Sequence, residues 1–125
     1  MRILAFDIGR RRTGVALLDT ENDVPIVLDA LRHDSFESLI DAVHALAVAR
    51  GTDRLVLGLP LLLSGDEGEQ VAFVRACGER LQALNHRVEY LDERYSTPRT
   101  TLTDGDDAAA CALLQTYQKR MKNGI

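Results

Sequence analysis

The sequence predicts an α/β domain built on a five-stranded mixed sheet: a three-strand antiparallel meander, two parallel strands and flanking helices. Three apolar runs separated by short turns come first, and each of two later apolar runs follows a segment with helical periodicity. A strand that returns to its sheet through a helix pairs in parallel with its neighbour. The predicted element order is therefore βββαβαβα.

The meander is predicted to begin with a strand from Arg2 to Ile8. A glycine-flanked turn leads into a second strand from Thr13 to Leu18, and a polar turn leads into a third near Pro25 to Leu31. Connections this short join antiparallel strands, whereas parallel strands need a longer crossover.

Periodic apolar residues predict the first helix and the central strand. Asp34 and Glu37 have capping-box spacing at the helix start, and Gly51 ends the helix. Its apolar face comprises Phe36, Leu39, Ile40, Val43, Leu46 and Ala47. The apolar run Leu55 to Leu59, ended by a proline, is typical of a central strand buried on both faces.

The remaining elements alternate in the same way. A helix is predicted from about Glu69 to Leu84, a fifth strand from Val88 to Asp92, and a last helix from near Asp106. The segment from Lys119 to Ile125 is predicted to be a frayed helix end.

Size and charge restrict the possible functions. The 125 residues and the 46% hydrophobic content fit one domain, residues 1–125, with its own core. The net charge of −4 excludes a broadly basic nucleic-acid coat, so nucleic-acid contacts must come from local clusters. No signal-peptide pattern or membrane-length apolar run is present, and we expect a cytoplasmic protein without membrane contact.

The cysteines and histidines are expected to have structural roles. Cys77 and Cys111 lie far apart without neighbouring ligands, which favours buried, reduced thiols over zinc or a disulfide. We expect His33, His44 and His86 to be solvated or capping residues rather than catalytic ones.

Three acidic residues are the candidate catalytic and metal-binding residues: Asp7 in the first strand, Glu93 just after the fifth, and Asp106 at the start of the last helix. Parallel strands bring side chains together at their carboxyl ends, so these acids could share one pocket. Two carboxylates about 4 Å apart repel by about 4 kcal/mol at an effective dielectric near 20, and Mg²⁺ or Mn²⁺ would relieve this repulsion.

A pair of such ions activates water for phosphodiester hydrolysis without a protein nucleophile. Each acid also has an ordinary structural interpretation. Asp106 could complement the dipole of its helix, Glu93 could simply end a strand, and for Asp7 a functional and a structural role weigh about equally.

Arginines near the predicted acidic pocket are candidates for binding nucleic acid. Arg10, Arg11 and Arg12 form the turn after the first strand, and Arg94 follows Glu93. They could be ordinary solvated residues, but beside a phosphodiester site they would contact backbone phosphates.

Four ordered motifs together resemble the YqgF/RuvX family. They are Phe6 to Ala16, Val56 to Pro60, Asp92 to Thr97, and Asp106 to Ala110 followed by Leu114 and Gln115. Members of this family are described as pre-16S rRNA nucleases and as Holliday junction resolvases. The resemblance implies an RNase H-like fold, with Asp7, Glu93 and Asp106 as the acidic site.

The chain departs from the family pattern at three places. Arg10 stands where a small polar residue is usual, and Leu62 stands where a polar residue is usual. Only eight residues separate Thr97 from Asp106, where the family carries a longer basic segment.

The resulting hypothesis is a divalent-metal-dependent nuclease. Its expected substrates are structured nucleic acids, namely pre-16S rRNA or branched or single-stranded DNA, and it could act as a monomer or a homodimer. The alternative is a non-catalytic nucleic-acid-binding or transcription-associated module with the same fold. An ATP-dependent kinase, which would share the first hairpin, needs two sheet domains to enclose its nucleotide, and 125 residues do not supply them.

Overall fold

A computed structural model describes residues 1–60, 68–92 and 106–122 of the chain, with side-chain detail in the last range for 109–121. The elements are β1 (Arg2–Ile8), β2 (Arg12–Asp19), β3 (Ile26–Arg32), α1 (Phe36–Arg50), β4 (Arg54–Leu59), α2 (Glu69–Ala83), β5 (Val88–Asp92) and α3 (Asp106–Lys122). This order confirms the predicted βββαβαβα arrangement. Within the last of these ranges, α3 continues as a regular helix to Lys122, beyond the predicted start of fraying at Lys119.

The five strands form one mixed sheet in the order β3-β2-β1-β4-β5. β1 pairs antiparallel with β2, and β2 pairs antiparallel with β3, as predicted for the meander. β1 pairs in parallel with β4, and β4 pairs in parallel with β5. The carboxyl ends of β1, β4 and β5 therefore lie at the same edge of the sheet.

Alternating side chains of β1 supply two separate cores. Leu4 and Phe6 pack with α1 and α2 on one face, whereas Ile3 and Ala5 pack with α3 on the other. These four side chains are fully buried, which explains the near absence of polar residues in the strand. β4 is likewise buried from Leu55 to Leu59, as predicted.

The start of α1 differs from the prediction by one residue. Ser35, not Asp34, is the N-cap: its hydroxyl accepts from the Ser38 N–H at 3.1 Å, and Ser38 Oγ accepts from the Ser35 N–H at 3.1 Å. Glu37 instead forms an ion pair with Arg80 of α2. Gly51 ends α1 as predicted, with a left-handed φ of 60° that glycine adopts without strain.

The two cysteines are free thiols. Cys77 is buried in the core beneath α2, and burial raises the pKa of its thiol to about 11. Cys111 is half-buried, and burial raises its pKa as well. Both thiols therefore stay protonated near neutral pH and are poor nucleophiles. No helix in the described parts of the chain is long and apolar enough to cross a bilayer.

The observed cap of α1 predicts that Ser35→Ala lowers the free energy of unfolding by about 1 kcal/mol, because one helix N–H loses its acceptor. Asp34→Ala is the matched control: it removes an exposed contact to Ser38 and a charge interaction with His33 but leaves the Ser35 cap in place, so we expect a loss below about 0.5 kcal/mol. Urea unfolding followed by circular dichroism measures both values. A larger loss for Asp34→Ala would contradict the assignment of the cap.

Candidate active site

Asp7 lies at the carboxyl end of β1, on the face of the sheet that α3 covers. Ile3 and Ala5 belong to the core beneath α3, and strand alternation gives Asp7 the next position on that face. Its side chain is half-buried and is not an isolated charge. It is thus less buried than the apolar flanking sequence suggests.

Glycines flank Asp7 on both neighbouring strands. Gly14 of β2 is its partner in the antiparallel pair. On the other side, continuing the β1–β4 register one residue beyond Phe6 and Leu57 sets Asp7 beside Gly58. Because neither glycine has a side chain, the face around the carboxylate keeps room for a ligand. This role of the two glycines was not predicted, although both lie in motifs that resemble the family.

The arginine turn begins directly after this strand. A Cβ on Gly9 would lie 2.4 Å from the carbonyl oxygen of Arg12, so the turn closes only with glycine at that position. Arg10, Arg11 and Arg12 are exposed. The Arg10 guanidinium stacks over the ring of Phe73 in α2, 5.1 Å from its centroid. Stacking orients the guanidinium plane and leaves the N–H groups at its edge able to meet a phosphate.

His33 supports the arginine turn through buried contacts. It is 8% exposed, and its Nε2 lies 2.8 Å from the hydroxyl of the fully buried Thr13. Its backbone N–H also donates to the Arg11 carbonyl at 3.0 Å. The expectation of a solvated or capping role for His33 is therefore wrong: the residue is buried and joins the end of β3 to the β1–β2 turn.

The first turn of α2 is joined to the same edge of the sheet. The side-chain amide of Gln70 donates to the Ile8 carbonyl at 2.9 Å. This carbonyl lies between Asp7 and Gly9, so the bond fixes the backbone next to the candidate acid. Sequence reasoning missed Gln70 because no local pattern reveals a contact between residues this far apart in the chain.

α3 is oriented by a polar cluster at the opposite, amino edge of the sheet. Tyr117 Oη donates to Glu89 Oε2 at 2.5 Å and accepts from Arg54 Nη1 at 2.8 Å. Burial raises the pKa of the Tyr117 hydroxyl, and its hydrogen bond to Glu89 adds to the increase. The hydroxyl therefore remains a proton donor near neutral pH.

α3 begins about three helical turns before this anchor. Asp106 precedes Tyr117 by eleven residues, about 16 Å of helix. Arg54 pairs with Ile3, and Asp7 lies four residues further along β1, about 13 Å away. The helix therefore has the length to bring its first turn to the level of Asp7.

The other predicted site residues have no described side chain. Glu93 and Arg94 lie outside the described residues, as does Leu62, and for Asp106 the structure gives only its place as the first residue of α3. No group of three metal-binding side chains occurs within the described part of the chain. The fit to a metal consequently depends on Asp7: a half-buried carboxylate between two glycines supplies the oxygen ligand that Mg²⁺ and Mn²⁺ prefer.

Comparison with known proteins identifies the family. A family model described as "RuvX: Holliday junction resolvase" matches residues 1–120. The chain is also 33% identical to a protein of Chloroflexus aggregans named "Putative pre-16S rRNA nuclease", over 97% of this chain and 95% of that protein. The chain belongs to the RuvX family. A protein of the same name from Bacteroides fragilis is 30% identical to this RuvX chain, over 93% of the chain and 94% of the relative.

Solved structures show that this RuvX chain has the RNase H-like fold of the RuvC resolvases. The chain aligns with Thermus thermophilus RuvC, solved with a Holliday junction substrate, at a TM-score of 0.64 and 12% identity, covering 98% of this chain and 96% of that one. It aligns with the fowlpox virus resolvase, solved with Holliday junction DNA, at 0.59 and 14% identity, covering 97% and 99%. At these identities the likeness concerns the fold alone.

Because His33 is buried, we expect the free energy of unfolding to depend on pH. Burial lowers the pKa of His33 below its ordinary value of 6.5. A hydrogen bond with the Arg10 backbone and the charge of Asp34 raise this pKa, but by less than burial lowers it. As the pH drops, His33 therefore takes up a proton in the unfolded chain before it does so in the folded chain. The free energy of unfolding consequently falls as the pH drops from the unfolded-state pKa through the folded-state pKa. His33→Gln should lose less stability than the wild type between about pH 7.5 and about pH 5. Urea unfolding across that range measures the difference, and equal losses would contradict the role of His33.

Proposed function

We propose that this chain is a divalent-metal-dependent nuclease whose site is formed by Asp7, Glu93 and Asp106. The observation that carries the proposal is the position of Asp7, at the carboxyl edge of the sheet, on the α3 face and between two glycines. Membership of the RuvX family supports phosphodiester hydrolysis as the reaction. It also favours an enzyme over a non-catalytic binding module.

Strand alternation supports Glu93 as the second acid. Glu89 contacts Tyr117 of α3, and Leu91 belongs to the core beneath α3. The odd-numbered residues of β5 therefore lie on the face of the sheet that α3 covers. The next position in that pattern is residue 93. Since β5 is separated from β1 only by β4, a carboxylate there would approach Asp7 across Gly58.

The length of α3 supports Asp106 as the third acid. From the Tyr117 anchor the helix is long enough for its first turn to reach the level of Asp7. Three ionised carboxylates repel one another without a counterion, which is the physical reason to propose Mg²⁺ or Mn²⁺ here. We propose that the complete site holds two such ions. When bound, the metal would supply Lewis acidity and an activated water.

The protein's own groups position the substrate. The arginine turn lies at the same edge as Asp7, and its Arg10 guanidinium is held against Phe73. We therefore assign Arg10, Arg11 and Arg12 to the phosphate backbone of the substrate, with Arg94 as a further candidate. Such contacts carry no sequence information, so selectivity would come from the shape of the nucleic acid.

The names of the relatives divide the candidate substrates into two groups. The curated relatives are named for pre-16S rRNA, whereas the family model and the resolvase structures refer to Holliday junctions. We propose pre-16S rRNA 5′-end processing as the primary function, because the relatives that match this chain by sequence carry that name. Junction or repair processing of DNA is the second candidate, and it would require a symmetric dimer to make paired cuts.

A cleavage assay tests the reaction. Pre-16S rRNA, single-stranded DNA and four-way junctions are incubated with the protein and Mn²⁺ or Mg²⁺. Asp7→Asn should lower the rate at least about 100-fold, because the amide removes the charge that holds the metal. Asp41→Asn, at an exposed position in α1, is the matched control and should cleave like the wild type. Unchanged cleavage by Asp7→Asn would contradict the metal-site assignment.

Salt dependence tests the arginine turn. If Arg11 contacts one phosphate, Arg11→Ala should reduce the slope of log affinity against log salt by about 0.7 for a single strand or about 0.9 for a duplex. Arg87, exposed before β5 at the opposite edge of the sheet, is the matched control, and Arg87→Ala should leave the slope unchanged. Fluorescence anisotropy without metal measures binding alone. Equal slopes for wild type and Arg11→Ala would exclude this phosphate contact.

A further inference from the structure

Two imidazoles that the proposed nuclease site does not use face each other on the side of the sheet covered by α1 and α2. His44 lies in α1, and His86 lies between α2 and β5. His44 Nδ1 and His86 Nε2 are 2.8 Å apart, and the ring planes are inclined by 70°. Two nitrogens from distant parts of the chain therefore meet in one small, half-buried space.

The distance between these nitrogens restricts their protonation. One nitrogen must donate and the other must accept, so the two facing positions share a single proton. Burial lowers the pKa of His86, and the neighbouring His44 lowers it further. The accepting nitrogen already offers a lone pair, and a metal ion can take the place of the proton on the donating nitrogen.

The backbone of both residues is fixed before any ligand binds. His44 lies inside α1, whose two ends are capped by Ser35 and Gly51. The His86 N–H donates to the Leu81 carbonyl at 3.1 Å, and the preceding Asn85 adopts a left-handed φ of 73°. Ligands on fixed backbone lose little conformational entropy when they bind an ion.

The ligand chemistry selects the class of ion. Imidazole nitrogen suits Zn²⁺, Ni²⁺ and Cu²⁺, whereas Mg²⁺ requires oxygen. Zinc binds such nitrogens at about 2.0–2.1 Å, which in a tetrahedral arrangement separates the two nitrogens by about 3.3 Å. His44 and His86 need to move apart by only about 0.5 Å to reach that geometry. Because no third metal-binding side chain joins them within the described residues, water would complete the coordination.

We propose that His44 and His86 form a two-imidazole site for a transition-metal dication of the Zn²⁺ and Ni²⁺ type, which replaces their shared proton and links α1 to the segment before β5. The site is separate from the acidic one. It lies on the opposite face of the sheet and at the amino end of β5, whereas Asp7 lies at the carboxyl edge. An ion bound there stabilises the folded state, since the unfolded chain does not bring the two residues together.

Calorimetric titration of the chelator-treated full chain with NiCl₂ tests this proposal. With excess Mg²⁺ present to fill the acidic site, we expect one Ni²⁺ per chain and an affinity that falls about tenfold or more in both His44→Gln and His86→Gln. Asp7→Asn should retain this binding, and excess Mg²⁺ should not compete with it. Nuclease activity is not part of the readout, so the result does not depend on the proposed function.

Three results would overturn the proposal: no saturable Ni²⁺ binding by the wild type, equal affinity in the wild type and both histidine variants, or loss in Asp7→Asn alone. Nitrogen NMR of the wild-type histidines under ZnCl₂ gives an independent test that needs no variant. Shifts at His44 Nδ1 and His86 Nε2, without a shift at the buried His33, support the site. Unmoved resonances at both nitrogens would contradict it.

Discussion

The alternation of side chains along β1 is the constraint on which the rest of this structure depends. β1 pairs with β2 on one side and with β4 on the other, and its side chains fill the cores on both faces of the sheet. A shift of one residue would exchange the two faces and bury Asp7 among the helices α1 and α2. The register with Gly14 and Gly58 therefore determines both the core and the position of the candidate acid.

The two faces of the sheet contribute to the site in different ways. On one face, the cluster of Tyr117, Arg54 and Glu89 fixes α3 at the amino edge of the sheet, and the helix is long enough to reach the level of Asp7. On the other face, α2 is bound to the end of β1 through Gln70 and to the arginine turn through Phe73. One face thus carries Asp7 and α3, and the other holds the arginine turn that we propose to contact phosphate.

Much of the fold follows from local patterns, and the errors have identifiable causes. Apolar runs and helical periodicity predicted all eight elements of the described residues, because burial on one or both faces leaves a clear period in the sequence. The N-cap of α1 was placed one residue early because Asp34 and Ser35 are both good capping residues, and only the geometry of Ser38 distinguishes them. The burial of His33 depends on contacts with Thr13 and Arg11, twenty or more residues away, which no local period reveals.

The candidate site was less predictable than the fold. Asp7 was recognisable because a carboxylate rarely interrupts an apolar strand, but its half-exposed position follows from the glycines on the neighbouring strands. The pairing of His44 with His86 was not predictable, since the packing of α1 against the segment before β5 brings together residues that are 42 positions apart. Glu93 and Asp106 stay predictions that rest on strand alternation, helix length and family resemblance.

Paramagnetic broadening by Mn²⁺ tests most directly whether three distant segments form one metal site. Amide signals of the nitrogen-15-labelled protein would be followed while Mn²⁺ is added at substoichiometric concentration. We predict selective broadening around Asp7, around Glu93 and at the start of α3 near Asp106, and loss of that pattern in Asp7→Asn. Broadening around only one of these acids, or the same pattern in Asp7→Asn, would contradict it.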